Sequence, residues 1–296
     1  MNKAGGSTIK YMLRPWAEEQ DDVSVGLYDG PQWLEGKSYA EKYLAEKNSL
    51  TWGAYTEGLR AHGGGEECKW FTTFRHPIPR LVSAYFYCRK TKDGLCASNI
   101  LQANETDLHT FAEHWGNFGL RQFSLAYALP EDVLAAEVET KNRCMPREGQ
   151  RECPGWYRLK LFFEGLKEKA AARGGTFMSL TEVATVDMQD AAMLDLIQPV
   201  SKLLNERYAA VGILEKWDST LKLFDAALKL PNFDWLESSR AVGKKNGSGR
   251  FETQENEALE TAWTDPELKK HILLDIALYD HAVSVHNKQL AEHGLS

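Results

Sequence analysis

The chain has 296 residues, 43% of them hydrophobic, with 9 Trp, a net charge of −7 and a pI near 5.7. That length buries a full core in one domain, the composition is globular rather than disordered, and the acidic balance argues against non-specific nucleic-acid binding. No run of 18 apolar residues occurs, so no membrane-spanning segment is expected, and no signal peptide is recognised at the N-terminus.

At the N-terminus, Asn2-Lys3-Ala4-Gly5-Gly6-Ser7-Thr8 reads as a glycine turn feeding a helix. Gly5 and Gly6 let backbone approach a ligand with no Cβ in the way. Ser7 and Thr8 suit an N-cap and first turn. Ile9, Met12, Leu13 and Trp16 follow at helical spacing. The free N–H groups and dipole of such a helix attract an anion, which Lys3 also reaches. The lysine precedes the glycines, so this is not GxxxxGK[ST]; an ordinary capped turn is the bland alternative.

Val23 to Leu27 reads as a strand and Tyr39 to Glu46 as a helix. Lys69 to Phe74 (KWFTTF) reads as a buried strand. Pro77 and Pro79 then allow only a turn or a first helical position. A helix follows from Arg80, with Leu81, Val82, Tyr85 and Phe86 available for the core. Arg75 stands at the strand's C-terminal end, where open α/β sheets bind ligands. Arg80, Ser83 and Tyr87 share one helix face. Arg75 and Ser83 are a candidate phosphate clamp, the guanidinium as a fork and the hydroxyl as a donor. A surface arginine beside a helix-face serine is the bland alternative.

Further along, Asp107 to Trp115 is a short helix, and Trp156 to Arg173 a long one closed by Gly174-Gly175. Thr176 to Leu180 reads as a strand. Asp190 to Tyr208 reads as a helix interrupted at Pro199. Ala210 to Leu214 is a strand, Ser219 to Leu230 a helix, Ser238 to Arg250 a polar loop and Pro266 to Glu292 the final helix. Alternating strands and helices predict an α/β fold, a single domain over 1–296 with a central parallel sheet flanked by helices. The late loop Lys244-Lys245-Asn246-Gly247-Ser248-Gly249-Arg250 combines cations with glycines that permit close approach. A mobile surface linker is the alternative reading.

Basic residues gather around both motifs: Lys3, Lys10 and Arg14 at one, Arg75, Arg80, Arg89, Lys90 and Lys92 at the other. Arg89 to Lys92 read as a solvated helix end. Of five cysteines, Cys88 and Cys96 bracket one polar loop and Cys144 and Cys153 another. Two local disulfides with Cys68 left over are expected, each stabilising by roughly 2–4 kcal/mol. The odd count and absence of C-x-x-C leave no zinc site expected. Such loops point to a secretory lumen, with reduced thiols in the cytoplasm as the alternative. Asn104-Glu105-Thr106 is a glycosylation sequon; Asn246-Gly247-Ser248, inside the basic loop, reads as unused. His109 with His114, and His281 with His286, stand five apart and share no helix face, so they read as structural or solvated.

The two phosphate motifs together resemble those of sulfotransferases that use 3′-phosphoadenosine 5′-phosphosulfate (PAPS), specifically the Golgi carbohydrate type. There a [PN]-K-x-G-[GS]-[ST]-[ST] loop precedes R-x-P-x-x-R-x-x-S-x-Y. Lys3, Gly5, Gly6, Ser7 and Thr8 match the first; Arg75, Pro77, Arg80, Ser83 and Tyr85 match the second. Asn117 to Gln122 is similar to the family's N-x-Q-x-R stretch, with Arg and Gln exchanged. Val211 to Asp218 is similar to its late V-G-x-x-E-x-[FW]-D turn, and Leu274, Asp275, Leu278 and Tyr279 fit its terminal helix.

The resemblance implies a P-loop-like sulfotransferase architecture and in-line sulfuryl transfer from PAPS to an acceptor hydroxyl, releasing 3′,5′-bisphosphoadenosine. Carbohydrate is the implied acceptor, with a small molecule or peptidyl tyrosine left open. Lys3 would meet the bridging oxygen and the backbone of Ala4 to Thr8 the 5′-phosphate. Arg75 and Ser83 would hold the 3′-phosphate, and the late loop with Lys245, Gly249 and Arg250 would close over the nucleotide. No metal is implied. Many relatives have a His where this chain has Ala54, which leaves Glu57 and His62 as candidate general bases, with Glu35 and Asp29 behind. A phosphate loop ordinarily follows a buried strand, so the chain is expected to lack its native N-terminal strand, together with the Golgi anchor that such enzymes carry there. Two rival readings are a P-loop kinase or NTPase, which needs the GK[ST] order and a strand-end Asp for Mg²⁺, and a nucleotide-binding protein without catalysis.

Overall fold

The structure, a computed structural model, describes residues 5–20, 24–27, 49–52, 68–90, 106–124, 128–144, 155–172, 191–242 and 252–295. Helices dominate them: α1 (Gly6–Glu19), α2 (Pro77–Lys90), α3 (Leu108–Trp115), α4 (Phe118–Ser124), α5 (Pro130–Cys144), α6 (Gly155–Ala172) and α7 (Ala191–Arg207). After these come α8 (Trp217–Leu228), α9 (Trp235–Val242), α10 (Glu252–Thr264), α11 (Pro266–Lys270) and α12 (Leu273–Glu292). Strand β1 (Ser24–Leu27) pairs in parallel with β2 (Ser49–Trp52), and β3 (Trp70–Phe74) in parallel with β4 (Tyr208–Ile213). The parallel α/β character expected from the sequence is present. A central sheet is not what the described residues form; they form two separate two-stranded sheets.

The chain divides into two compact units, one of 1–76, 197–247 and 277–296, the other of 77–196 and 248–276. In the first, α1 presents Ile9, Met12 and Leu13 to a core shared with Ala210 of β4, Leu221, Phe224 and Leu228 of α8 and Trp235 of α9. Phe71, Phe224 and Trp235 meet edge to face with centroids 5.1 to 6.2 Å apart, a geometry that adds to area burial. In the second, Ile78, Leu81, Val82 and Phe86 of α2 pack with Phe111 and Trp115 of α3, Ala262 of α10 and Leu268 of α11. Phe111, Trp115 and Phe118 stack in series, with centroids 5.9 and 4.8 Å apart. Each such buried side chain contributes roughly 1.5–3 kcal/mol relative to exposure.

Among the described residues, side chains rather than a third strand occupy the outer edge of β4. The Gln289 side chain accepts from Val211 N–H at 2.8 Å, and His286 Nδ1 lies 2.8 Å from the Val211 carbonyl. Thr220 Oγ1 accepts from Ile213 N–H at 2.8 Å and donates to the Ile213 carbonyl at 2.9 Å. The backbone groups of Val211 and Ile213 that point away from β3 are thereby satisfied by α8 and α12. A Cβ on Gly212 would lie 2.4 Å from Thr220 Cγ2 and 2.8 Å from Phe224 Cζ; its absence lets α8 close onto the strand.

Several boundaries differ from expectation. The second helix begins at Pro77, three residues earlier than Arg80, because proline's fixed φ suits the first turn. α7 runs unbroken through Pro199, which is exposed, so water can satisfy the carbonyl left without a donor. The segment from Ser238 to Val242, expected as loop, belongs to α9. The final helix is two: Asp265 caps α11, accepting from Leu268 N–H at 3.0 Å, and α12 restarts after His271-Ile272. Helices α4, α5 and α10 carry no counterpart in the sequence expectations. The expected helix 39–46, strand 176–180 and glycine cap 174–175 lie outside the described residues. Cys88 and Cys144 are buried and disulfide-bonded, while Cys68 keeps its thiol. Cys96 and Cys153, their expected partners, lie outside the described residues. Among the described residues no helix is long and apolar enough to cross a membrane.

Candidate functional site

The first unit gathers parts of both sharp motifs around the C-terminal end of β4. Gly5, not Ser7, is the N-cap of α1, at φ 86° and ψ −1°. That left-handed conformation is strained for any residue with a Cβ. A Cβ there would also lie 3.0 Å from Leu214 Cδ1 and 3.4 Å from Trp217 Cζ3. The glycine turn therefore backs directly onto the residue that follows β4. The carbonyl of Gly5 accepts from Ile9 N–H at 3.1 Å, starting the helix whose first N–H groups stand free of intrahelical partners.

Arg75 leaves the end of β3 one residue beyond the last register pair, Phe74 with Ile213. His76 follows, and its backbone N–H donates to Glu215 Oε1 at 2.9 Å. Glu215 sits in a short 3₁₀ turn, Leu214–Lys216, that follows β4. Its other oxygen accepts from the Tyr279 hydroxyl at 3.0 Å. The His76 and Tyr279 rings meet edge on at 5.1 Å. Burial, then the Glu215 charge and hydrogen bond, push the Tyr279 phenol far above its ordinary range, so it stays a donor. Sequence reasoning did not single out Glu215 or His76, although the late V-G-x-x-E likeness contains the former.

In the second unit Ser83 stands half-buried on α2, one residue before the buried Ala84. Arg80, expected among the cations around the second motif, is instead consumed inside this unit. It is 2% exposed, lies over the Trp115 ring at 5.2 Å and bonds the Asp275 carboxylate. Asp275 also accepts from Gly119 N–H at 3.1 Å and Leu120 N–H at 2.8 Å, capping α4. In return the Asn117 side chain accepts from Asp275 N–H at 3.0 Å. Burial lowers the pKa of nearby Arg121 to about 9, against the pull of Asp275 and Glu164, so it remains charged at neutral pH. Arg89, expected as part of a solvated helix end, lies 5.6 Å over both the Tyr85 and Phe86 rings because its stem and guanidinium pack well on aromatic faces.

Lys3, Ala4, Glu57, His62, Lys245, Gly249 and Arg250 lie outside the described residues, as do Asp29, Glu35 and Asn104. The Ser7 side chain does too, although its backbone belongs to the first turn of α1. Among the described residues no group of three or more His, Cys, Asp or Glu side chains is placed to hold a metal ion.

His286 is a buried side chain of structural type. Nδ1–H donates to the Val211 carbonyl, which leaves Nε2 facing Ser219 Oγ at 3.2 Å. Burial, helped by the Lys216 charge and opposed by the Val211 bond, lowers its pKa below 6.5. Burial likewise lowers His271. The unfolded chain therefore binds these protons more readily than the folded one. Their stabilising contribution is complete above the unfolded-state value near 6.5 and drains away as pH falls below it. The urea midpoint is expected to fall as pH drops from about 7 to about 5, and His286→Gln to flatten that slope without removing the part due to His271. An unchanged slope in the variant would refute the assignment.

Compared with known proteins, the chain matches no family model and no curated protein.

Proposed function

We propose that this chain is a sulfotransferase that moves a sulfuryl group from PAPS to an acceptor hydroxyl, with carbohydrate the favoured acceptor class. One observation carries the proposal. One residue from each of two motifs far apart in sequence stands at the same end of β4: Gly5 packs on Leu214, and Arg75 follows the Phe74–Ile213 pair. The C-terminal end of parallel strands is where open α/β sheets bind ligands, and a glycine turn at a helix start suits a phosphate there.

In this proposal the β3–β4 pair belongs to a single-domain, P-loop-like sulfotransferase architecture. The backbone N–H groups from Ala4 to Thr8 hold the 5′-phosphate, and Arg75 binds the 3′-phosphate. Ser83 keeps its role on its motif position alone. Lys3 neutralises charge on the bridging oxygen as the sulfuryl group departs, the step at which charge stabilisation counts most. Glu57 or His62 takes the acceptor proton, and Lys245, Gly249 and Arg250 cover the nucleotide. A Golgi or secretory lumen is the matching location.

Calorimetric titration with 3′,5′-bisphosphoadenosine, 5′-AMP and ATP–Mg²⁺ tests this. Tight binding of the bisphosphate with weak binding of 5′-AMP is expected. Equal affinity for the two adenosine nucleotides, or preference for ATP–Mg²⁺, would overturn the proposal.

A further inference from the structure

We infer that Glu215 is a positioning residue that aims Arg75 at the 3′-phosphate, by holding the backbone of His76 where the sheet ladder stops. This inference rests on the sulfotransferase proposal and deepens it by naming what gives the site its 3′-phosphate selectivity. The argument begins with register. The β3–β4 ladder runs to Phe74 opposite Ile213. One residue on, β4 leaves the sheet for the 3₁₀ turn Leu214–Lys216, so no β4 strand carbonyl continues the ladder. His76 N–H finds the Glu215 carboxylate instead, at 2.9 Å. Arg75 is thus bracketed, with the ladder fixing the residue before it and Glu215 the residue after it.

The carboxylate is itself held. Its second oxygen takes the Tyr279 hydroxyl at 3.0 Å, and the Tyr279 ring rests against the His76 ring. Among the described residues each Glu215 oxygen thus meets a donor, one from the link between β3 and α2 and one from α12, so a side chain at the surface has a defined direction. A bond donated by a backbone N–H to a charged acceptor is among the stronger hydrogen bonds. With both oxygens engaged, Glu215 is a poor general base, and a structural role in aiming its neighbour suits it better. A guanidinium fork discriminates by geometry, so loss of aim should appear as lost selectivity rather than lost folding.

The test titrates the full chain and its variants with 3′,5′-bisphosphoadenosine and with 5′-AMP, and reads the ratio of the two affinities. Glu215→Ala is expected to lower that ratio by about 10-fold to 100-fold while leaving 5′-AMP affinity unchanged. Glu215→Gln, which keeps one acceptor oxygen, should fall between Ala and the parent. In the double variant with Arg75→Ala, Glu215→Ala should add nothing, since it acts only through that arginine. An unchanged ratio in Glu215→Ala, or additive losses in the double variant, would overturn the inference while the sulfotransferase proposal stands. A parent that shows no preference for the bisphosphate would overturn both.

Discussion

Asp275→Ala is expected to lower stability by about 3–5 kcal/mol, the cost of breaking a buried ion pair by removing one partner. Three donors converge on this carboxylate: the Arg80 guanidinium and the N–H groups of Gly119 and Leu120. Both charged side chains are 2% exposed, so water cannot replace the lost oxygen atoms. The variant leaves a cation in the core and reopens the start of α4, where capping alone is worth about 1 kcal/mol. Asp275→Asn keeps one acceptor oxygen but not the charge and should lose less. Adding Arg80→Leu to Asp275→Ala should restore part of the loss, because the stranded charge goes with it. Urea denaturation of the four proteins forms the comparison. A loss below about 1 kcal/mol for Asp275→Ala would mean that this cluster is relaxed or hydrated.

On the sulfotransferase proposal, the largest effect on activity is expected at Lys3. Lys3→Ala should reduce turnover by at least about 10²–10³-fold, the range for removing one donor from a developing charge, while retaining most affinity for 3′,5′-bisphosphoadenosine. The reason is differential binding: a cation at the bridging oxygen matters most when the bond to sulfur breaks. Arg75→Ala should do the reverse, weakening the bisphosphate while sparing 5′-AMP. Release of the bisphosphate in the presence of a carbohydrate acceptor gives the rate, and calorimetry gives the affinity. If Lys3→Ala lost affinity and turnover in equal measure, Lys3 would be a ground-state phosphate ligand and another group would meet the bridging oxygen.

The parts of the fold legible in the sequence are those set by neighbours along the chain. Ile9, Met12 and Leu13 announced the buried face of α1, KWFTTF announced β3, and Asp107 announced α3, whose Thr110 N–H it accepts at 2.7 Å. Pro130 at the start of α5, with Glu131 and Asp132 in its first turn and Lys141 and Arg143 in its last, is an equally good local signal. It was obscured because Leu134 and Val138 point outward, 49% and 51% exposed, and blur the apolar face. What the sequence could not show is long-range. Arg80 meets Asp275 across 195 positions, and His76 meets Glu215 across 139. In the sequence Arg80 therefore reads as one more cation beside the second motif, and only the fold pairs it with Asp275. Periodicity locates a strand but not its neighbour, so nothing in Ala210 to Leu214 disclosed that Thr220, His286 and Gln289 would occupy its edge.

That occupied edge bears on how the protein meets other chains. An exposed strand edge is a template on which foreign strands polymerise. Here Val211 and Ile213 have their outward backbone groups engaged, so strand addition at β4 must first displace side chains anchored on two helices. Gln289, near the end of the chain, holds part of that edge closed, and its loss is expected to tell first in the protein's tendency to aggregate when concentrated or warmed.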